Sequence, residues 1–231
     1  TVQRGKVRGR QRAIAVQADP AFGSPLAGRV ELGENGLQVD DALPVFLALV
    51  LRQVLVGHEA RPEAPLVVVL ASGQNVEPAC VALPSSSAYR TPLGRVPVAR
   101  ELCGQLCRES SAFIEDDFAH LEEHAIETQL PFLHYLLGSF VLLPLLVGSA
   151  GEQQLQQMAQ HVEARLSAER RSNLLVLGTN LTSYQSRDEA RREGSKLLSR
   201  MTALQWRELL SRERRWTIGQ AGCSAVALFL A

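Results

Sequence analysis

The chain has 231 residues, 24 basic and 24 acidic side chains and 46% hydrophobic residues, a composition typical of a globular protein that can bury a full core. The balanced charge gives no global signature of a nucleic-acid partner or of binding to an anionic membrane. Neither a secretory signal nor an apolar run of about 18 residues is present, so no transmembrane segment is expected.

The first twelve residues carry basic and no acidic side chains, which predicts a solvated or partner-bound arm. The four cysteines are scattered and form no CxxC pair: Cys80, Cys103, Cys107 and Cys223. We therefore expect an intracellular, reducing compartment. Because residue 1 is Thr rather than Met, a preceding segment is also expected, and both the cytoplasm and an organelle such as the mitochondrion stay open.

Short apolar runs alternate with amphipathic helical patterns along the chain. Strands are predicted at Ala13–Val16, Leu66–Leu70, Phe140–Leu146 and Leu174–Leu177. Helices are predicted at Asp41–Val56, Val98–Arg108, Phe118–Leu137, Glu152–Ser167, Arg187–Leu204 and Cys223–Leu230. Continuous apolar strands between amphipathic helices indicate an α/β fold, a layered sheet with helices on both faces.

The domain organisation is predicted to be simple. Residues 1–40 would hold the basic arm, a first strand and a loop insertion, and residues 41–231 a single α/β domain. Loops are expected at Asp19–Leu37 and Pro84–Pro97, where glycine, proline and serine concentrate. Pro131 lacks an amide hydrogen, so we expect the Phe118–Leu137 helix to kink or break there.

Four polar side chains in that helix recur at i, i+3, i+4 and i+7, namely His120, Glu123, His124 and Glu127. At a helical period they share one stripe and can converge. His120, Glu123 and His124 also fit the HxxEH pattern of inverzincin proteases, in which two imidazoles bind zinc and a glutamate polarises water. The motif lacks its confirming context, and we favour the alternative of a helix with satisfied polar side chains at a cleft edge.

Polar residues also follow two of the predicted strands, where α/β proteins bind ligands. Ser72, Gln74 and Asn75 follow the strand at Leu66–Leu70, and Asn180 follows the strand at Leu174–Leu177. Amides and hydroxyls do not titrate near neutral pH, so they supply hydrogen bonds and not ordinary acid–base catalysis. The serines at 85–87, 110 and 111 lie in no nucleophile elbow and are predicted to be turn and cap residues.

Several of these segments, taken in order, resemble the Memo family, whose fold is similar to that of class III extradiol ring-opening dioxygenases. The matching segments are Tyr89–Gly94 (YRTPLG), Asp116–Gly148 with its AHxxEHAIExQLPFL core, Leu175–Asn180 (LVLGTN) and a final helix near Gly222–Val226. The resemblance covers residues 65–231 and implies the Memo fold. It also predicts that the chain stops before the last strands of the family.

The chain departs from this family at the positions where the resemblance implies metal donors. A His-Ala-Gly-Tyr element would fall at Ala18–Ala21 or within the insertion, and a second histidine at Gln74 or Asn75. The Ser-Ser-Asp-x-x-His element becomes Gly178–Ser183, without the aspartate or the histidine. The Cys-Gly element falls at Gly219–Gln220. Of the polar signature of the family, the residues that remain are Glu123, His124 and Glu127.

Losing these histidines together with the aspartate and the cysteine removes nearly every donor that a divalent iron or copper site would use. We therefore predict a non-catalytic pseudo-enzyme without a metal or cofactor, acting as a scaffold or accessory subunit in a larger protein assembly. Its partners would be other protein subunits, with Trp206, Trp216 and Arg212–Arg215 as interface anchors.

Two alternatives stay open. One is a metal-dependent enzyme, either dioxygenase-like or an HxxEH hydrolase, that uses His120, Glu123 and His124. The other is a small-molecule binding module that keeps the vestigial cleft of the family. The residues predicted to line that cleft are Ser72, Gln74, Asn75, Glu123, His124, Glu127, Asn180 and Ser183.

Overall fold

The computed structural model describes residues 11–17, 32–33, 36–37, 64–180, 188, 189, 192 and 196. Its strands, numbered in chain order, are β1 (Gln11–Gln17), β2 (Leu32–Gly33), β3 (Gly36–Leu37), β4 (Leu66–Ser72), β5 (Val81–Leu83), β6 (Ala88–Thr91), β7 (Gly94–Pro97), β8 (Phe113–Glu115), β9 (Val141–Val147) and β10 (Asn173–Asn180). Its helices are α1 (Arg100–Glu109), α2 (Asp117–Glu122), α3 (Leu130–Leu137) and α4 (Glu152–Ala168), with a single 3-10 turn at Glu127–Gln129 before α3.

A six-stranded sheet in the order β1-β10-β4-β9-β5-β8 forms the centre of the described residues. The four strands from β1 to β9 are parallel neighbours, whereas β5 runs antiparallel to β9 and parallel to β8. In this register Ala71 of β4 pairs with Gly178 of β10, so the carboxyl ends of these two strands lie side by side.

Helices cover both faces of this sheet, whose inner strands β4 and β9 are apolar from Leu66 to Ala71 and from Val141 to Val147. In β4, Val68 faces a core shared with α1 and α4, and its neighbour Val69 faces a second core shared with α2 and α3. Both valines are fully buried. The predicted fold class, a layered α/β sheet with helices on both faces, is therefore confirmed.

Most of the predicted elements within the described residues are present. The four predicted strands overlap β1, β4, β9 and β10, and the helices predicted at Val98–Arg108 and Glu152–Ser167 correspond to α1 and α4. The four described residues of Arg187–Leu204 are helical, whereas Asp41–Val56 and Cys223–Leu230 lie outside the described residues. No helix in the described part of the chain is long and apolar enough to cross a bilayer.

The prediction of one helix over Phe118–Leu137 was wrong. Helix α2 ends at Glu122, and Glu123 has an extended backbone with φ −104° and ψ 121°. The chain becomes helical again only at the 3-10 turn and α3, where Pro131 occupies the first turn. Proline is well tolerated there because the first amides of a helix have no partner within it. The chain therefore breaks upstream of Pro131, and the four polar residues share no helical stripe.

The predicted loop at Pro84–Pro97 was also wrong in part, because its second half is the antiparallel hairpin of β6 and β7. Gly94 begins β7 with φ +136°, a backbone conformation that favours glycine. Tyr89 of the hairpin packs against both cores. A strand of three or four residues is too short to show a clear alternation, and the neighbouring serines and prolines indicate a turn instead. The short strands β5 and β8 were not predicted for the same reason.

Candidate functional site

The carboxyl edge of the sheet, where β4 and β10 end, is the natural place for a site in this fold. The segment after α2 crosses this edge. A β-carbon at Gly178 of β10 would lie 3.3 Å from the carbonyl oxygen of Ala125 and 3.8 Å from Cγ of Gln129. The close approach of another backbone therefore explains why glycine follows the apolar part of β10.

Glu123 connects this crossing segment to the loop after β4. Its Oε1 accepts a hydrogen bond of 3.2 Å from the backbone amide of Gln74. Partial burial raises the pKa of Glu123, an effect that the Gln74 amide and the nearby charge of His124 oppose. The structure thus brings together two of the predicted cleft residues, but through the main chain of Gln74. The side chains of Gln74 and Asn75 are exposed.

Both ring nitrogens of His120 lie within hydrogen-bonding distance of a partner. Its Nε2 lies 3.0 Å from the carbonyl oxygen of Ala82, and its Nδ1 lies 2.7 Å from the hydroxyl of Tyr89. A carbonyl oxygen can only accept, so Nε2 must carry the proton, and in the neutral ring Nδ1 then accepts from Tyr89. Burial lowers the pKa of His120, which favours this neutral form despite the nearby Asp117 and Asp116 carboxylates.

His124 and Glu127 form a separate pair on the surface. The Nδ1 of His124 lies 3.4 Å from Oε2 of Glu127, and the side chain of His124 is 72% exposed. An exposed pair of this kind contributes little to stability, on the order of 0–1 kcal/mol. Glu127 begins a separate 3-10 turn, so this pair shares no helix with His120.

The remaining predicted cleft residues are only partly visible. Ser72 ends β4 and is half-buried. Asn180 ends β10, and its side chain is not among those described; Ser183 lies outside the described residues, as do Cys223, Trp206, Trp216 and Arg212–Arg215. Where the structure describes them, no three His, Cys, Asp or Glu side chains are grouped closely enough to hold a metal ion.

Two residues that the sequence reasoning did not single out are central to this region. Gln129 is only 4% exposed, packs beside Gly178, and its Oε1 is buried without a hydrogen-bond partner. Tyr89 binds His120, and burial raises the pKa of the Tyr89 hydroxyl, so this group remains a donor. Tyr89 belongs to the YRTPLG segment of the family resemblance, but the sequence does not reveal its contact with His120.

The donor chemistry of the described residues does not fit the divalent iron implied by an extradiol dioxygenase-like fold. Such a site needs several imidazole or carboxylate donors around one ion. Both nitrogens of His120 are engaged, and Glu123 is bound to a backbone amide. The Nδ1 of His124 lies beside Glu127. The other predicted cleft residues that the structure describes with side chains offer two carboxylates, two amides and one hydroxyl, namely Glu123, Glu127, Gln74, Asn75 and Ser72.

Comparisons with known proteins identify relatives of the chain. A family model described as "Memo-like protein" matches residues 52–231. A MEMO1 family protein of Methanopyrus kandleri is 29% identical over 174 residues, which is 75% of this chain and 61% of that protein. A MEMO1 family protein of Thermoplasma volcanium is 26% identical over 178 residues, or 77% of this chain and 60% of that protein. The chain thus spans about three fifths of the length of these relatives.

Proposed function

The chain belongs to the Memo-like protein family, and from this premise we propose that it is a non-catalytic member, a pseudo-enzyme that serves as a scaffold or accessory subunit in a larger protein assembly. The proposal has two parts, the loss of metal chemistry at the carboxyl edge of the sheet and the use of the surface for binding proteins.

The observation that carries the first part is the complete engagement of the His120 ring. Tyr89 occupies Nδ1, and the carbonyl of Ala82 occupies Nε2. A metal ligand needs a free nitrogen lone pair, and in His120 the only lone pair accepts the Tyr89 proton. Binding a metal there would leave a half-buried tyrosine hydroxyl without its acceptor.

The neighbouring residues support the same conclusion. Gln74 or Asn75 stands where the resemblance places a histidine, and an amide neither takes up a proton near neutral pH nor competes as a ligand for a divalent transition metal. Glu123 is a proton acceptor, but it already receives the Gln74 amide. Among the described residues, catalysis at this edge would lack a cluster of metal donors.

A second candidate function, a small-molecule binding module, is favoured by the unpartnered Oε1 of Gln129. A buried acceptor without a bond costs about 1–3 kcal/mol, so a ligand that donates a hydrogen bond to it would recover part of that energy. This candidate predicts thermal stabilisation by small amides or alcohols that is lost in Gln129→Leu.

Metal stoichiometry tests the first part. The purified full chain is equilibrated with Fe²⁺, Cu²⁺ or Zn²⁺, desalted and analysed for metal, beside His124→Ala and the control His161→Ala on the opposite face of the sheet. We expect far less than one ion per chain in all three proteins. One ion per chain in the wild type and His161→Ala, but not in His124→Ala, would overturn the proposal in favour of a metal-dependent enzyme.

The second part is tested by isolating the native protein from its source. We expect it to elute with other proteins in a constant ratio, at a mass well above that of its own polypeptide. The purified chain alone serves as the reference for the elution position. A native protein that elutes without companions would contradict the scaffold role.

A further inference from the structure

The exposed large hydrophobic side chains of the described residues all lie on elements that cover one face of the sheet. They are Leu93, Phe118, Leu121, Phe132 and Tyr135, and together they define the α2–α3 surface. Phe118 is 65% exposed, Leu121 75% and Tyr135 82%. Across the part of the chain that the structure describes, α1 and α4 on the opposite face carry no such side chain. This asymmetry is typical of an interaction surface.

The three elements of this surface are held together by direct contacts. The hairpin touches α2 through the Tyr89–His120 hydrogen bond of 2.7 Å. It also touches α3, because a β-carbon at Gly94 would lie 3.1 Å from Cε1 of His134. Leu93 precedes Gly94 at the tip of the hairpin. Each helix presents its exposed pair at i and i+3, the spacing at which two side chains lie on one helical face.

The charge of this region differs from that of the rest of the chain. Residues 113–140 contain no lysine or arginine, although the chain has 24 basic residues. The same stretch holds six carboxylates, at Glu115, Asp116, Asp117, Glu122, Glu123 and Glu127. Four of these residues are exposed, and Glu122 adjoins Leu121. The stretch without lysine or arginine extends from residue 109 to residue 164, but only two of its carboxylates, Glu152 and Glu163, lie on α4. The hairpin adds the exposed Arg90 and Arg95, and Arg100 pairs with Glu115 at 2.9 Å. Six carboxylates against three basic groups leave the apolar surface with a negative net charge.

We propose that the α2–α3 surface docks a basic amphipathic segment of a partner protein, one in which Arg or Lys side chains flank an apolar stripe. This inference rests on the proposed scaffold role and names the chemistry of its partner. The apolar side chains would be buried in the contact, and carboxylates such as Glu122 would pair with basic groups at its rim. A helical partner segment would have apolar side chains spaced by one helical turn. These side chains would contact the i, i+3 pairs of α2 and α3.

The same charges argue against two other occupants. A second copy of the chain, joined through the same patch on both molecules, would bring two negative fields into contact, which costs binding energy. An anionic membrane surface would be repelled for the same reason. A basic protein segment satisfies both the apolar and the electrostatic character of the surface.

The test uses two designed helical peptides of about 18 residues, five turns, with the same leucine stripe. One carries lysine on its polar face and the other glutamate. Binding to the full chain is measured by fluorescence anisotropy beside Phe118→Ser/Leu121→Ser, Glu122→Gln and the control Gln153→Ser/Gln157→Ser on exposed positions of α4. Circular dichroism verifies that each variant is folded. Sedimentation of the full chain measures self-association, and flotation with phosphatidylserine vesicles measures lipid binding.

We expect the lysine peptide to bind and the glutamate peptide not to bind. The double serine variant should weaken binding about tenfold or more, because a few exposed anchors dominate such contacts. Glu122→Gln should weaken it about twofold to fivefold and reduce its salt dependence, and the α4 control should leave it unchanged. Equal binding of both peptides, loss in the α4 control, dimerisation through Leu121, or vesicle binding would each overturn the inference. None of these outcomes changes the metal stoichiometry, so the proposed function is judged separately.

Discussion

Removing the ring of His120 is expected to destabilise the fold by an amount that its two hydrogen bonds determine. In His120→Ala, the Tyr89 hydroxyl and the Ala82 carbonyl both lose their partner in a partly buried environment. An unmet group of this kind costs about 1–3 kcal/mol. Allowing for partial access of water, we expect the unfolding free energy to fall by about 3 kcal/mol. Tyr89→Phe, which removes only one hydroxyl, should cost about 1 kcal/mol.

Urea unfolding monitored by circular dichroism measures these values, with His124→Ala as the matched control. His124 lies four residues further on and is exposed, so its replacement should cost no more than about 0.5 kcal/mol. A double-mutant cycle adds a sharper test, because Tyr89→Phe should cost almost nothing once His120 is alanine. If His120→Ala costs no more than His124→Ala, or if the costs of His120→Ala and Tyr89→Phe are additive, the two hydrogen bonds do not stabilise the fold.

The same histidine gives the stability a defined dependence on pH. Burial lowers the pKa of His120 in the folded protein, so between that pKa and the unfolded value of about 6.5 the unfolded chain binds more protons. Stability from the neutral ring is therefore present above about pH 6.5 and decreases as the pH falls through this interval. The pKa values of Asp117 and Glu123 are also altered in the folded protein, so the decrease is measured as the difference between wild type and His120→Gln, in which this contribution is absent.

Three further substitutions test the local structure. Gly148→Ala should cost about 2 kcal/mol in urea unfolding, because its β-carbon would lie 2.5 Å from the carbonyl oxygen of Glu77. Gly104→Ala should instead stabilise by about 0.5–1 kcal/mol, because it lies within α1 and its β-carbon meets only the flexible end of Arg108; the opposite order of the two midpoints would contradict this account. Asp116→Ala should cost about 1 kcal/mol and speed hydrogen exchange in α2, since Asp116 caps that helix, whereas unchanged exchange would disprove the cap.

The inner strands β4 and β9 could be predicted from the sequence because almost all of their residues are buried. Runs such as Leu66–Leu70 are apolar at every position, and such a run between amphipathic helices is typical of a buried strand in a parallel sheet. The carboxyl ends of β4 and β10 were placed at one edge for the same reason. These features depend on local pattern and on the general rules of parallel sheets, and both are present in the sequence.

The site was harder to predict because its geometry depends on one backbone break. The periodicity from His120 to Glu127 is helical in the sequence, yet the chain is extended at Glu123, where its carboxylate reaches the Gln74 amide. That contact joins residues 49 positions apart, so no local pattern reveals it. The roles of Tyr89 and Gln129 likewise depend on contacts with distant strands. Pro131 was expected to kink or break a helix, but it lies in the first turn of α3.

The protonation state of the His120 ring shows whether both of its nitrogens are engaged in hydrogen bonds and closed to a metal ion. Long-range ¹H–¹⁵N NMR on the full chain labelled with ¹⁵N-histidine distinguishes the two ring nitrogens, and His120→Gln assigns the signal. We predict a neutral ring at neutral pH with the proton on Nε2 and a bare, hydrogen-bonded Nδ1, unchanged when Zn²⁺ or Fe²⁺ is added. A proton on Nδ1, or a His120 signal that shifts or disappears on adding either metal, would contradict the account.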